Sequence, residues 1–448
     1  MVKDVTDNDE TKRNATPSDE GNLASLATAG LKIGVLSFGG PAVQIALMHD
    51  EFVTRRKWLS ADRFQHALSF CMLLPGPEAQ QLATYCGWLM AGVRGGLITG
   101  LLFILPGALI MAALSTIYVL YGAVPLVEAI FYGLKGGVLA IVLQALWRIT
   151  QKALAGAFLK ALCLAAFIAL FAFNLPFPLV VLAAGLLGFL FAPNPTGVPE
   201  APATPERLPV SKQVSLSPLL LKGLVLWAAP AALAALLIAP DHVLVRLSGF
   251  FSTLAVVSFG GAYALLSYMA QVVVDTLGWL SPEEMLDGLA LAETTPGPLI
   301  LVTQFVGFLA GWRFADPFAP LTGALLAAAV TTWVTFAPSF LFVLIGAPFM
   351  ERLRGIPALR RALAGISAAV AGTILNLSVW FALNTLFAQT RQIQHGPLDI
   401  TWPTLTTLDP VLAGITLLAL GLTLGARLSI FPLLGICCAA GLLARYAL

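Results

Sequence analysis

Two Pro-Gly-Pro motifs, at residues 75–77 and 296–298, are the residues in this chain best suited to binding chemistry. Proline is favoured at the first position of a helix, because the N–H that it lacks has no partner there. The next amides are unpaired donors, and the helix dipole adds about half a positive charge. Such a terminus suits an oxyanion. The alternative is an ordinary turn between helices at a membrane surface. The candidate binding residues are Pro75, Gly76, Pro77, Pro296, Gly297 and Pro298.

A Ser-Phe-Gly-Gly motif precedes each Pro-Gly-Pro, at residues 37–40 and 258–261, and Trp-Leu-Ser stands between them at 58–60 and 279–281. All three motifs recur at one and the same offset along the chain, which predicts a gene duplication. Glycine and proline interrupt a membrane helix, which is costly unless the break is buried or lines a cavity. Close helix packing by the glycines is the alternative. The candidate lining residues are Phe38, Gly39, Gly40, Pro41, Phe259, Gly260, Gly261 and Tyr263.

Polar side chains beside the breaks could complete an anion site. They are Glu78, Gln80, Gln81, Glu293, Thr295 and Gln304. Ionisable residues inside a membrane are expensive and mark functional sites. Glu78 or Glu293 could carry a coupling proton, or each could cap a helix end that faces water.

Three cations are candidates for attracting an anion: Arg55, Arg56 and Lys135. Positive charge at a mouth raises the local concentration of anions. For the two arginines the alternative is a solvated loop. For Lys135 it is snorkelling or an ion pair with Glu128.

Composition places the chain in a membrane. Hydrophobic residues make up 58% and charged residues 11%, whereas a soluble domain carries roughly 25% charged residues. We predict an all-α integral membrane protein with about 13 transmembrane helices and with broken or re-entrant helices. The five cysteines lie in apolar stretches without metal-ligand spacing, so no metal and no cofactor is predicted. A net charge of +2 gives no indication of nucleic-acid binding.

Four segments are predicted: a disordered tail at 1–22, a first transporter repeat at 23–192, a Pro-rich linker at 193–218 and a second repeat at 219–448. The second repeat is inverted if residues 61–94 cross the membrane once. The alternative is a returning hairpin at 61–94, and charge counting hardly separates the two.

The linked motifs "SFGGPAVQIALMHDEFVTRRKWLS" and "LPGPEAQQLATYCGW", with their echoes "SFGGAYALL" and "ETTPGPLILVTQFVGF", resemble the chromate ion transporter family. The resemblance covers roughly residues 25–390. It implies a two-domain carrier with inverted halves that exports chromate across the bacterial inner membrane, confers resistance and draws on ion gradients. It also implies that the glycines, prolines and aromatic residues of both motif pairs are the characteristic residues. The stretch "FCMLL" before Pro75 is more apolar than the family pattern.

The predicted function is therefore secondary active export of chromate, with no enzymatic activity. The predicted partners are chromate or sulfate, a coupling ion (a proton or a counter-anion), the lipid bilayer and a second copy in a homodimer. A carrier for sulfate or another oxyanion, an anion channel and a membrane enzyme are the alternatives. The chain has no GxxxxGK[ST], GxSxG or dinucleotide motif, which disfavours ATP-driven transport and the enzyme.

Overall fold

The computed structural model describes residues 22–154, 156–193, 216–258, 262–347, 357–426 and 428–447. The predicted tail and linker fall almost wholly outside these ranges. The described residues form helices and one antiparallel two-stranded ribbon, β1 (Thr390–His395) and β2 (Leu398–Pro403). The helices of the first half are α1 (Leu23–Leu36), α2 (Pro41–His49), α3 (Ala61–Cys71), α4 (Glu78–Tyr121), α5 (Pro125–Ala153), α6 (Ala157–Phe171) and α7 (Phe177–Phe191). Those of the second are α8 (Leu216–Leu237), α9 (Val243–Val257), α10 (Ala262–Gln271), α11 (Pro282–Thr294), α12 (Val302–Arg313), α13 (Pro320–Gly346), α14 (Pro357–Leu386), α15 (Pro410–Leu424) and α16 (Ile430–Ala447).

The first half opens with two hairpins of short helices. In hairpin 1, α2 and a π-helical turn at Asp50–Arg55 fold back along α1. Lys32 on α1 forms a 2.5 Å ion pair with Glu51, and Arg56 donates to the carbonyl of Ser25 at 3.4 Å. Residues on the two sides of the break at 37–40 are thus paired, as in an antiparallel hairpin.

Hairpin 2 comprises α3 and the first arm of α4, residues 78–90. The rings of Phe70 and Tyr85, on either side of the break, lie 5.3 Å apart. A kink with non-helical backbone at Ala91 and Gly92 then turns the chain into the second arm of α4, residues 93–121. Residues 61–94 therefore return, which is the hairpin alternative.

The second half repeats both hairpins. In hairpin 3, formed by α9 and α10, Phe250 packs near Tyr268 with ring centroids 6.3 Å apart. In hairpin 4, formed by α11 and α12, a Cβ on Gly288 would lie 2.4 Å from the ring of Phe305.

The repeated Trp-Leu-Ser motif starts the second hairpin of each half. Ser60 caps α3 by accepting from the amide of Arg63. Ser281 caps α11 in a capping box with Glu284. Serine at this position satisfies an unpaired amide of the first turn, so the motif fixes where each hairpin begins.

The two halves run in opposite directions. A Cβ on Gly96 would lie 3.5 Å from Leu344, and one on Gly100 would lie 2.5 Å from Phe340. The second arm of α4 and its counterpart in the second half, α13, therefore run antiparallel to each other. The halves are inverted repeats, as predicted, but for a different reason: residues 25–48 and 243–272, each long enough for one crossing, also fold back on themselves, and α8 supplies an extra helix between the halves.

Five helices among the described residues are long and apolar enough to cross a membrane: 78–121, 125–151, 218–237, 320–346 and 357–386. Seven shorter apolar helices accompany them. The long helices α5 and α14 each pack on the last hairpin of the opposite half, α15–α16 and α6–α7 respectively. The duplicated halves are therefore interlocked.

Glycines permit the interlocking. A Cβ on Gly133 of α5 would lie 2.0 Å from the carbonyl oxygen of Cys437, and one on Gly365 of α14 would lie 2.3 Å from that of Ala184. Because backbones touch at these points, neither neighbour can yield by turning a side chain. Small residues serve this purpose in membrane helices.

We expect Gly133→Ala to destabilise the protein by about 1–3 kcal/mol, the usual cost of overpacking. The measurement is the thermal midpoint of the purified protein in detergent. Gly414→Ala is the matched control, because no described atom lies within 4 Å of a Cβ at that position. The control should be neutral or slightly stabilising, since alanine is the better helix former. Equal midpoints for the two variants would contradict this account of the interlocking.

Candidate functional site

Each hairpin has a tip at the repeated motif between its two helices: residues 37–40, 75–77, 258–261 and 296–298. The tips of one half are hydrogen-bonded to the tips of the other. The amide of Gly76 donates to the carbonyl of Ser258 at 2.9 Å, and the amide of Gly297 donates to that of Ser37 at 3.0 Å. The Gly297 amide also lies 3.1 Å from Ser37 Oγ. Each Pro-Gly-Pro therefore meets the Ser-Phe-Gly-Gly of the other half, and the four motifs found in the sequence converge as two crossed pairs.

A buried glutamine fastens one of these pairs. Gln44 Nε2 donates to the carbonyl of Gly297 at 2.6 Å and lies 3.4 Å from that of Ser37. Gln44 is 1% exposed. Its counterpart in the second half is Leu265, so the repeated motifs do not indicate it. A lone amide in the apolar stretch after a helix break is the signal in the sequence that points to it.

Each tip leans on a proline-containing long helix of the opposite half. A Cβ on Gly107, which follows Pro106 in α4, would lie 2.1 Å from the carbonyl oxygen of Pro296. A Cβ on Gly76 would lie 2.3 Å from Ser339 Oγ, which follows Pro338 in α13. The backbone of Gly76 has φ +121° and that of Gly297 has φ +98°, a region that favours glycine. The backbone conformation thus requires glycine at both positions, and at Gly76 the space requires it as well.

The N-terminus of α4 presents free amides at the first Pro-Gly-Pro, residues 75–77, which is called the first tip; the second tip is residues 296–298. No side chain among the described residues caps this terminus, where Pro77 is the N-cap residue. The amides of Glu78, Ala79 and Gln80 are the unpaired donors of the first turn. The second tip differs from expectation, because residues Leu299–Leu301 form a 3-10 turn and the amide of Leu301 donates to the carbonyl of Pro298 at 2.9 Å. Leu301 is therefore not an anion donor.

The predicted glutamines bind the protein through their nitrogens. Gln80 Nε2 donates to Thr84 Oγ1 at 2.9 Å, Gln81 Nε2 to the carbonyl of Pro75 at 2.6 Å, and Gln304 Nε2 to that of Ala108 at 2.8 Å. All three carboxamide oxygens are buried without a partner among the described residues. Because these atoms accept, they are suited to water rather than to an anion.

The other polar candidates are also placed at the breaks. Thr295 Oγ1 donates to the carbonyl of Leu291 at 2.5 Å, so its hydroxyl is engaged. Glu293 is 4% exposed, whereas Glu78 is half-buried at the free end of α4.

Buried hydroxyls on α13 lack partners in the described part of the chain. Thr331, Thr335 and Ser339 follow one another at intervals of four residues, and none of their oxygens has a hydrogen-bond partner. Residues at this interval share one helix face. Ser339 is the member that reaches Gly76, so a hydroxyl donor stands opposite the free amides of α4. This row was overlooked in the sequence, because single hydroxyls in an apolar helix are common.

The helix break between α1 and α2 in hairpin 1 lies where the sequence predicts it. Gly39 and Gly40 have φ +89° and +81°, and Pro41 is the first residue of α2. Phe38 packs edge-on against Phe431 of α16, with ring centroids 5.0 Å apart. In the second half, Phe259, Gly260 and Gly261 lie outside the described residues. Tyr263 belongs to α10.

The two predicted arginines are engaged in ion pairs rather than free. Arg55 pairs with Asp50 at 2.6 Å, and Arg56 pairs with Glu51 at 2.6 Å and stacks on Trp58 at 4.6 Å. Arg56 also links the π-helical turn to α1 in hairpin 1, and both arginines have acidic partners close by.

Lys135 does not pair with Glu128, whose carboxylate lies 3.7 Å from Arg445. Lys135 instead attracts the carboxylate of Asp287. In the described part of the chain, no group of three His, Cys, Asp or Glu side chains could hold a metal ion.

Inverted helical repeats with broken helices whose ends meet at the centre define a multi-pass membrane transporter. The particular family follows from sequence comparison: the profile described as Chromate transporter matches residues 24–189 and 245–443, and the chain belongs to that family. A chromate transport protein of Pseudomonas aeruginosa is 32% identical over 351 residues, covering 77% of each chain.

Two further relatives cover a similar share. A probable chromate transport protein of Synechococcus elongatus is 30% identical over 361 residues, 79% of this chain and 83% of the relative. A chromate transport protein of Cupriavidus metallidurans is 27% identical over 365 residues, 81% and 84% of the two chains. No solved structure matches.

Proposed function

We propose that this chain exports chromate across the bacterial inner membrane as a secondary active transporter, without converting the anion chemically. The observation that carries the proposal is the crossed pairing of the tips, in which Gly76 meets Ser258 and Gly297 meets Ser37. The names of the three relatives, all chromate transport proteins, support the choice of anion.

The first tip offers the better donor set for a dianion. The free amides of the first turn of α4 stand near Ser339 Oγ, which has no partner among the described residues. Amide and hydroxyl donors with a helix dipole suit the oxygens of a tetrahedral oxyanion. We propose that the anion lies between the two Pro-Gly-Pro motifs and is bound mainly by α4.

The crossed pairs also supply a means of alternating access. The helix breaks of the two halves approach each other from opposite sides, and among the described residues only a few hydrogen bonds join them. A small rocking of one half against the other would break one crossed pair and keep the second. Transporters with inverted repeats work by such movements around a fixed site.

Chromate transport is tested with inside-out vesicles from cells that express the chain. We expect accumulation of labelled chromate under an imposed ion gradient, and competition by excess sulfate. Vesicles from cells that carry an empty vector are the control. Unchanged chromate content under every gradient would refute the carrier, and flux far above carrier rates without a gradient would favour an anion channel.

A further inference from the structure

A buried carboxylate away from the tips carries the next inference. Asp287, in the second turn of α11, is 6% exposed. Its Oδ2 accepts a 2.8 Å hydrogen bond from the phenol of Tyr118 in α4. Its Oδ1 is buried and has no hydrogen-bond partner among the described residues.

Lys135 of α5 is the positive charge that acts on Asp287. A carboxylate buried among membrane helices is expensive and needs a countercharge or a proton. Three helices from both halves thus meet at a single acid. Its counterpart in the first half is His66, so the arrangement belongs to one half only.

The other charged groups near Asp287 are accounted for. Glu283 and Glu284 act on it from its own helix. Glu284 is bound by Arg313 of α12 and by the amide of Ser281. Glu283 is exposed. Lys135 is therefore the one cation that attracts Asp287 directly in the described part of the chain.

We propose that Asp287, hydrogen-bonded to Tyr118 and attracted by Lys135, is a proton-binding site whose occupancy controls anion binding at the tips. The inference rests on the proposed function. When Asp287 is ionised, it neutralises Lys135. When it takes up a proton, the charge of Lys135 is left uncompensated and attracts the dianion, so that proton and anion bind together. By linkage, anion binding must draw the proton to Asp287 to the same extent.

The expected effect follows from distance. Asp287 precedes Pro296 by nine residues, which corresponds to about 13 Å along a helix axis. One unit charge acting on a dianion at this distance changes affinity by about fifty- to hundredfold at the effective dielectric constant of a protein. This is large enough to measure and small enough for a reversible carrier.

The test is equilibrium binding of labelled sulfate to the purified full-length chain in lipid nanodiscs, at mildly acidic and mildly alkaline pH. Sulfate is the probe because it stays a dianion throughout this range. We expect wild type to bind about fifty- to hundredfold more tightly at the acidic pH and to take up a proton on binding. Asp287→Asn should bind tightly at both pH values and take up no proton.

Two further variants keep the test decisive if Asp287→Asn does not fold. Lys135→Met should lose the tighter binding at acidic pH, and Glu283→Gln, which removes an exposed acid from the same helix, should retain it. Full pH dependence in Asp287→Asn, or its loss in Glu78→Gln alone, would overturn the inference while leaving the carrier intact. Failure of wild type to bind either sulfate or chromate at any pH would instead overturn the proposed function.

Discussion

Replacing Gly76 with valine is expected to lower chromate transport by about a hundredfold or more, with the protein still folded. The new side chain would meet Ser339 Oγ, since a Cβ there lies at 2.3 Å. The backbone at φ +121° adds strain, about 1–2 kcal/mol for a residue with a Cβ. The tip must move, and a shift of about 1 Å at a reacting site can cost a hundredfold in rate. The measurement is initial uptake into vesicles, normalised to folded protein.

Gly156→Val is the control that imposes a similar backbone strain at a position away from the proposed anion site. Gly156 has φ +89°, and no described atom lies within 4 Å of its Cβ position. The same strain is therefore imposed between α5 and α6, far along the chain from the tips. We expect near wild-type transport. If Gly76→Val transports as well as Gly156→Val, the tips do not form the anion site.

Replacing Gln44 with leucine is expected to lower transport about tenfold. The substitution removes the 2.6 Å hydrogen bond to the carbonyl of Gly297 and leaves that oxygen buried and unpaired. An orphaned buried polar group costs about 1–3 kcal/mol. Leucine is the residue at the matching position, Leu265, so the volume is tolerated in this fold. Uptake of chromate is measured beside the thermal midpoint.

Ser37→Ala is the control for Gln44→Leu. It removes the 3.1 Å contact of Ser37 Oγ with the Gly297 amide but leaves the 3.0 Å bond to the Ser37 carbonyl. We expect less than about a threefold loss, because the amide keeps one acceptor. A larger loss in Ser37→Ala than in Gln44→Leu would show that the carboxamide does not hold the tip.

The sequence predicts the breaks well, because proline and glycine act locally. The repetition of three motifs at one spacing revealed the duplication, and Ser60 and Ser281 begin α3 and α11 where the Trp-Leu-Ser motif ends. Membrane location followed from composition alone. These features need no knowledge of the tertiary contacts.

What the sequence could not predict is which breaks turn the chain back. The apolar stretch at 25–48 is long enough for a crossing, and the long-range contacts Lys32–Glu51 and Arg56–Ser25 show that it is a hairpin. The crossed pairing of tips is likewise a long-range contact without a local pattern. Gln44 and Asp287 were missed for the same reason, because their roles depend on Gly297 and Tyr118, which lie far away along the chain.

The peripheral helix α8, which packs against α9 and α13, has a consequence for biosynthesis. Its apolar stretch at 218–237 is 20 residues long and only 6% buried, so it contributes little to the interior. It changes the number of membrane crossings between the two halves by one. The second half, which has the same order of helices as the first, therefore starts from the opposite side of the membrane. Membrane insertion of this single segment therefore sets the opposite orientation of the second half. Without it the second half would face the same way as the first, and the interlocked packing of α5 and α14 could not form.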